Sequence, residues 1–346
     1  MRAVVYQGFA EPPSLVEVAD PVPPAGGVVV RVEATGLCRS DWHGWQGHDS
    51  DISTFPHIPG HEFAGVIASV GAGVIGWQEG DRVTAPFVFA CGACPECVAG
   101  DHQVCRRQQQ PGFSLPGSFA DYVVVTDAAT NLVALPLAVD LATGASLGCR
   151  FATAYRAVVA QGRAAAGEWA VVYGCGGVGL SAVMIAVARG LRVVAVDVSV
   201  QALELARSFG ASVTVLAGDA PDAVIEATGG GAHLSLDALG SPGTCAAAVA
   251  SLRRRGRHVQ VGLLPGGAPD LPMGRVLAYE LSVVGSHGMA AQAYPGMLSL
   301  VASGQLRPDL LITRSISLDE APAALVALST ASPTGITMIA PSLSTT

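Results

Sequence analysis

Four thiols lie within fifteen residues in Cys91-Gly92-Ala93-Cys94-Pro95-Glu96-Cys97, closed by Cys105, at the spacing C-x2-C-x2-C-x7-C. A tetrahedral Zn²⁺ takes four soft ligands at about 2.3 Å, and a short Cys-rich lobe can wrap one unaided. Four thiolates leave no open coordination position, so this site is expected to be structural. The alternatives are two disulfides in a secreted protein or reactive redox thiols. Both are disfavoured by the dense one-sided clustering and by a start, MRAVVYQGFAEPP, that lacks the apolar core of an export signal. A second set is more dispersed: Cys38 in GLCRSDWH, His61 in PGHE and Cys149 in LGCRF. Together they make a Cys₂His set with a fourth position open for water or substrate. Taken singly, His61 reads as a hydrogen-bonded core histidine and Cys149 as packing; their conjunction with the Cys-rich lobe and a dinucleotide motif argues for ligands.

That motif is Gly174-Cys175-Gly176-Gly177-Val178-Gly179, following the apolar run Val171-Val172-Tyr173. G-x-G-x-x-G between a strand and a helix cradles a pyrophosphate. The first Gly makes the tight turn, the second admits the phosphate, the third packs helix on strand, and the helix N-terminus faces the anion. Asp197 ends the next apolar run, VVAVD. A carboxylate there accepts from the ribose hydroxyls and repels a 2′-phosphate, and no Arg or Lys follows in VSVQALELA, so NAD is expected over NADP.

The elements that must hold these residues have two textures. The first half carries short β-type runs at 28–32, 64–70 and 122–125, with turn clusters such as 21–27 between them, which predicts an all-β, barrel-like core with loops. From 151 the pattern alternates: strands at 169–173, 192–196 and 212–216, helices at 179–189 and 201–209, and further strands near 234–237, 258–262 and 281–285. Strand–helix alternation at this spacing predicts a parallel sheet with right-handed crossovers. The tail turns helical, returns to a strand near 337–339 and is expected to rejoin the first domain. The fold class is thus α/β, with domain 1–150 completed by 287–346 and a dinucleotide-binding domain at 151–286.

With 346 residues, 13% charged and 50% hydrophobic, the chain has room for two packed domains. A net charge of −8 argues against nucleic acid or an anionic membrane as partner. Mean hydropathy is positive, but the longest apolar stretch, near 178–188, is broken by Arg189 and Arg192 well short of a span. A cytoplasmic protein is expected, with the remaining thiols Cys175 and Cys245 as packing.

PGHE, the four-Cys lobe, GCGGVG and GSFADYVVV at 117–125 together resemble the zinc-containing alcohol dehydrogenases of the medium-chain dehydrogenase/reductase superfamily. The resemblance spans essentially the whole length. It implies a GroES-like β-barrel catalytic domain, a doubly wound Rossmann sheet, and an active-site cleft between them. It implies Cys38, His61 and Cys149 as catalytic zinc ligands, with Glu62 beside the metal as a transient ligand or a neighbour. Asp41 resembles the carboxylate that orients His61, Ser40 the hydroxyl that takes the substrate proton, and His43 the outer end of the relay. Arg39 resembles the cation on the cofactor pyrophosphate. Thr153 and Val178 match positions behind the nicotinamide, and Val261 the backbone near its carboxamide. Trp45 and Phe87 resemble pocket walls, narrowing the site toward primary or aromatic alcohols.

The pattern is broken at two places: Ile336 follows Gly335 where a basic residue is common, and Ala202 lies where a Lys is. Both weaken anion neutralisation and predict modest cofactor affinity. The implied activity is reversible hydride transfer between a primary or secondary alcohol and NAD, with two zinc ions per chain and a homotetramer or homodimer. The alternatives are a polyol or threonine-type dehydrogenase, the former disfavoured by Cys149, or a dinucleotide-binding relative without catalysis.

Overall fold

The computed structural model describes residues 1–264, 267–331 and 333–343. Two compact units divide the chain: residues 1–152, 288–304 and 308–346 form one, and residues 153–287 with 305–307 the other.

The first unit opens with a hairpin of β1 (Arg2–Val5) and β2 (Ser14–Glu17). Its main sheet is built around the long strand β3 (Val28–Leu37), followed by β4 (Phe63–Val70), β5 (Arg82–Thr84), β6 (Tyr122–Val125) and β7 (Val133–Ala134). Val28, Val30 and Val32 enter the core beside Phe63, Ile67, Phe89, Val123 and Val125. Arg31 and Glu33, on alternate positions, meet each other outside at 2.8 Å. This is the two-residue period of a pleated strand. Register shifts at Val29/Val30 and Val32/Ala34 bend β3. Its start also pairs with β6 and its end with a strand from the chain's tail. The end of β3 is where Cys38 is delivered.

The second unit carries β8 (Trp169–Tyr173), β9 (Arg192–Asp197), β10 (Val213–Leu216), β11 (Ala232–Asp237), β12 (Leu252–Gln260) and β13 (Ser282–Gly285). The sheet is parallel, in the order β10-β9-β8-β11-β12-β13. This is the doubly wound order with the first strand central. β8 is buried along its whole length, as its WAVVY sequence requires in a sheet covered on both faces. The helix Gly177–Ala188 behind it is buried from Gly179 to Ala186.

The tail returns to the first unit as β14 (Ile312–Ser317) and β15 (Ile336–Ala340), and β15 pairs antiparallel with β3. The expected alternation of strands and helices is present. β14 was not foreseen, because ITRSIS buries only its end, and β12 starts six residues before the 258–262 reading, in a polar RRRGR stretch. Among the described residues no helix is long and apolar enough to cross a membrane.

Candidate active site and metal centres

Cys38 follows β3 and caps the helix Arg39–Trp45. Its backbone N–H donates to Asp41 Oδ2 at 2.9 Å, so the first turn of that helix fixes the thiol. The other oxygen, Oδ1, accepts from His61 Nδ1 at 2.8 Å and from the Gly60 N–H at 3.2 Å. Gly60 has φ +103°, and a Cβ there would come within 2.4 Å of the Phe119 ring, so only glycine makes the turn that presents His61. Cys149 comes from a π-helical turn, Leu147–Phe151, following the helix Leu141–Ser146, whose N-cap Asp140 accepts from the Thr143 N–H. The ligand atoms of Cys38, His61, Glu62 and Cys149 all lie within 4.8 Å of one another.

The electrostatics fit a cation. His61 is 1% exposed, its Nδ1 is engaged by Asp41, and its Nε2 is buried with no hydrogen-bond partner. An orphaned ring nitrogen beside two thiols is costly unless a metal takes its lone pair. The Cys149 thiol, hydrogen-bonded to Cys38, holds the Cys38 pKa well below its ordinary value, aided by the Arg150 guanidinium and His61. The donor set of two thiols and an imidazole therefore fits zinc.

Glu62 is fully buried and its carboxylate is taken by Arg150, which donates from Nε at 2.9 Å to Oε1 and 3.0 Å to Oε2, and from Nη2 to Oε2. Sequence reasoning missed Arg150. The signal was available: a lone charge inside the apolar run LGCRFATA requires a buried partner. Also missed were Phe113, whose ring lies 5.4 Å from that of His61, and His48, whose Nδ1 is 2.9 Å from His43 Nδ1. No sequence signal marked those two.

The other expected residues fall as follows. Ser40 and His43 stand one turn apart on the helix Arg39–Trp45, and Ser40 Oγ is 3.8 Å from Cys38 Sγ. Arg39 lies over the Trp42 ring and donates to the Leu328 carbonyl and, at 3.2 Å, to that of Ala331. Phe87 sits 6.2 Å from His61, ring to ring, on the wall of the cluster. The Trp45 ring packs in the core with Val4, Tyr6, Leu37 and Phe119, and its N–H donates to the Glu11 carbonyl at 2.6 Å. An apolar ring with one donor satisfied by backbone is stable in that core, which is why it turns inward.

The four-Cys lobe gathers Cys91, Cys94, Cys97 and Cys105 within 4.8 Å. All four are free thiols, with sulfur separations of 3.4 Å for Cys94–Cys97, 3.7 Å for Cys94–Cys105 and 3.5 Å for Cys91–Cys105. A tetrahedron with 2.3 Å bonds has edges of about 3.8 Å, close to these. The disulfide alternative is not what the lobe adopts. The Cys91 thiol is held down to about 6, chiefly by the Ala93 N–H, and Arg107 Nη2 donates to it at 3.2 Å.

In the second unit, Gly174 follows β8 with φ +88° and Gly176 caps the helix Gly177–Ala188. A Cβ on Gly179 would come 1.7 Å from the Gly174 carbonyl, whereas nothing lies within 4 Å of one on Gly176. The loop is thus tight where helix meets strand and open where a phosphate would sit, with Val178 in the helix's first turn. Asp197 ends β9 and accepts from the Cys175 N–H at 2.6 Å and the Ser199 N–H at 2.8 Å. The Val261 N–H is taken by the Asp237 carbonyl at 3.1 Å. Thr153 Oγ1 is buried without a partner. Cys175 and Cys245 are buried, as packing requires.

Residues 24–137 match the model of the alcohol dehydrogenase GroES-like domain and residues 177–303 that of the zinc-binding dehydrogenases. An alcohol dehydrogenase of Geobacillus stearothermophilus is 36% identical over 310 residues, 89% of this chain and 90% of its own. An NAD-dependent alcohol dehydrogenase of Sulfolobus acidocaldarius is 30% identical over 331 residues, 94% of this chain and 95% of its own. The solved alcohol dehydrogenase of Thermus sp. ATN1 superposes with a TM-score of 0.89 at 31% identity, covering 98% of this chain and 99% of that one. The GroES-like and Rossmann folds, the two Cys-rich clusters able to hold a metal and these relatives together mean that this chain belongs to the zinc-containing alcohol dehydrogenases of the medium-chain dehydrogenase/reductase superfamily.

Proposed function

We propose that the enzyme interconverts a primary or secondary alcohol, aromatic ones included, and its aldehyde or ketone, using NAD, with residues 1–150 and 287–346 as catalytic domain and 151–286 as cofactor domain. The observation that carries the reading is the partnerless Nε2 of His61, buried within the cluster that holds two thiols while Asp41 fixes its Nδ1. Cys38, His61 and Cys149 hold the catalytic zinc and the four-Cys lobe the structural one.

When bound, zinc supplies Lewis acidity that lowers a hydroxyl pKa, and NAD supplies the hydride acceptor. The chain's own residues do the rest. Ser40 takes the substrate hydroxyl proton, and His43 with His48 carries it outward. Burial, reinforced by His48 and Arg39, lowers the His43 pKa, so the ring is neutral at pH 7 and ready to accept. Phe87 and Phe113 shape an apolar wall beside His61 suited to an unbranched or aromatic carbon skeleton. Gly174, Gly176, Gly177, Val178 and Gly179 receive the pyrophosphate, Asp197 takes the ribose hydroxyls, and Thr153 and Val261 seat the nicotinamide. Eight free thiols favour the cytoplasm, and a homotetramer or homodimer is the expected assembly.

The test is absorbance at the NADH band with NAD⁺ or NADP⁺ across primary, secondary, aromatic and polyol substrates. Alcohol-dependent NADH formation that a zinc chelator abolishes is expected. Silence across the panel from protein holding two zinc ions per chain would refute the reading.

A further inference from the structure

Glu62 and Arg150 form a buried ion pair that touches the supports of every ligand in the Cys₂His set. Glu62 follows His61, Arg150 follows Cys149, and Arg150 Nη1 donates at 3.2 Å to the carbonyl of Leu37, which precedes Cys38. The Arg150 backbone N–H also donates to Glu62 Oε1 at 3.1 Å. Both residues are enclosed, at 0% and 6% exposure. Gly36 makes room for the pair: a Cβ there would lie 2.3 Å from Glu62 Oε2 and 2.7 Å from Arg150 Nη2.

The carboxylate has two cationic partners within reach. Its oxygen shares the 4.8 Å cluster with Cys38, His61 and Cys149, so it is close enough to become a fourth metal donor. It is engaged instead by the planar fork of Arg150, whose bidentate geometry matches a carboxylate. A Cys₂HisGlu set would be closed like a structural site; a Cys₂His set keeps a position open.

We propose that Arg150 is a positioning residue that holds Glu62 out of the coordination shell and so keeps the fourth position of the metal open for the substrate oxygen. The proposal rests on the ligand assignment above. A buried carboxylate deprived of its arginine needs another cation, and the nearest is the metal.

The experiment loads Co²⁺ into the wild-type protein and the R150Q, E62Q and E62Q/R150Q variants. Absorption spectra are recorded, and metal loss to a chelator is timed. A thiolate-to-cobalt charge-transfer band from the Cys38/Cys149 site, separated from the four-Cys lobe by a C38S control, tests the ligand assignment itself. Without it, that assignment fails and the proposal with it. Given the band, R150Q is expected to shift the visible d–d bands, as an added oxygen donor would, and to slow metal loss by about tenfold or more, the worth of one charge-assisted contact. It should also lower kcat more than it alters KM. E62Q/R150Q should restore the parent spectrum and loss rate, because a neutral amide is a poor donor. Unchanged bands in R150Q would mean that the freed carboxyl takes a proton, and would overturn the proposal. So would metal loss faster by the ten- to hundredfold typical of a lost outer partner, not reversed by E62Q. If R150Q does not fold, E62Q alone decides: the proposal requires the parent cobalt spectrum, and a shifted one would show that Glu62 is already a ligand.

Discussion

The carboxylate of Asp41 accepts the Nδ1–H of His61 at 2.8 Å with both side chains enclosed, and its second oxygen accepts the Cys38 N–H at 2.9 Å. One side chain therefore sets the positions of two proposed ligands from different elements, the cap of a helix and the entry to β4. Such a carboxylate fixes the histidine tautomer, leaves Nε2 free, and raises its basicity toward a metal.

Asp41→Asn should therefore weaken catalytic-site metal binding by about ten- to hundredfold while leaving the four-Cys lobe loaded. An amide offers one acceptor where three donors converge, and its NH₂ opposes the Cys38 or His61 N–H. Metal content after dialysis against a graded chelator series is the readout. An unchanged affinity would show that Asp41 serves only the helix cap.

The four-Cys lobe predicts the opposite separation. Cys105→Ser removes a sulfur that lies 3.5 Å from Cys91 and 3.7 Å from Cys94. The short helix Pro95–Val98 and the turn His102–Val104 form too small a core to hold the lobe without metal. Zinc should fall from two ions to one per chain, and Tm should drop by about 5 °C or more, the equivalent of roughly 3–4 kcal/mol in a chain of this size. Turnover per remaining catalytic ion should survive below the new Tm. Loss of turnover with no change in Tm would contradict a structural role.

How much of this was readable beforehand depended on whether a residue's role is local. The Gly loop and the four-Cys lobe are short-range, so spacing alone exposes them. The parallel sheet followed from strand–helix alternation, whereas β14, with one short buried end, gave no such signal. Arg150 and His48 act through partners 88 and 5 residues away, set by the fold, and one chain's residue types do not state such pairings. For Trp45 the question is orientation. A resemblance in position cannot say which way a ring turns, and here the Glu11 carbonyl and the Val4–Leu37 core draw it inward.

Stability should depend on pH through histidines buried in neutral form. His258 is fully buried on β12 between Ser235 Oγ at 2.9 Å and Gln260 Oε1 at 3.1 Å, and burial lowers its pKa below the ordinary 6.5. His57, also buried, is lowered for the same reason. A depressed histidine pKa means that the unfolded chain binds the proton first. Stability is therefore full above about 6.5 and falls as pH drops through the lower folded values. Thermal melts from pH 8 to 5 should be flat, then decline below about 6.5, with a shallower decline in His258→Gln. A flat profile in the parent protein to pH 5 would refute the assignment of these rings as buried and neutral.

Cofactor choice is assigned to Asp197, and its geometry makes the assignment testable. Its carboxylate accepts from the Cys175 N–H at 2.6 Å and the Ser199 N–H at 2.8 Å, which ties the acid to the Gly loop and aims it along the end of β9. Asp197→Asn keeps the size and one acceptor but removes the charge that pairs with ribose hydroxyls and repels a 2′-phosphate. Losing one charge-assisted contact should lower kcat/KM for NAD⁺ by about ten- to hundredfold. The gain for NADP⁺ should be smaller, because no Arg or Lys occurs in residues 198–206 to hold the phosphate. The ratio of the two kcat/KM values separates this from general damage: a disrupted Gly loop lowers both, whereas the proposed role lowers only the first. A second substitution, Val198→Arg, placed at an exposed position beside the acid, should then raise the NADP⁺ value further. If Asp197→Asn leaves the ratio unchanged, the carboxylate serves the loop alone, and selectivity for NAD must come from elsewhere in the fold.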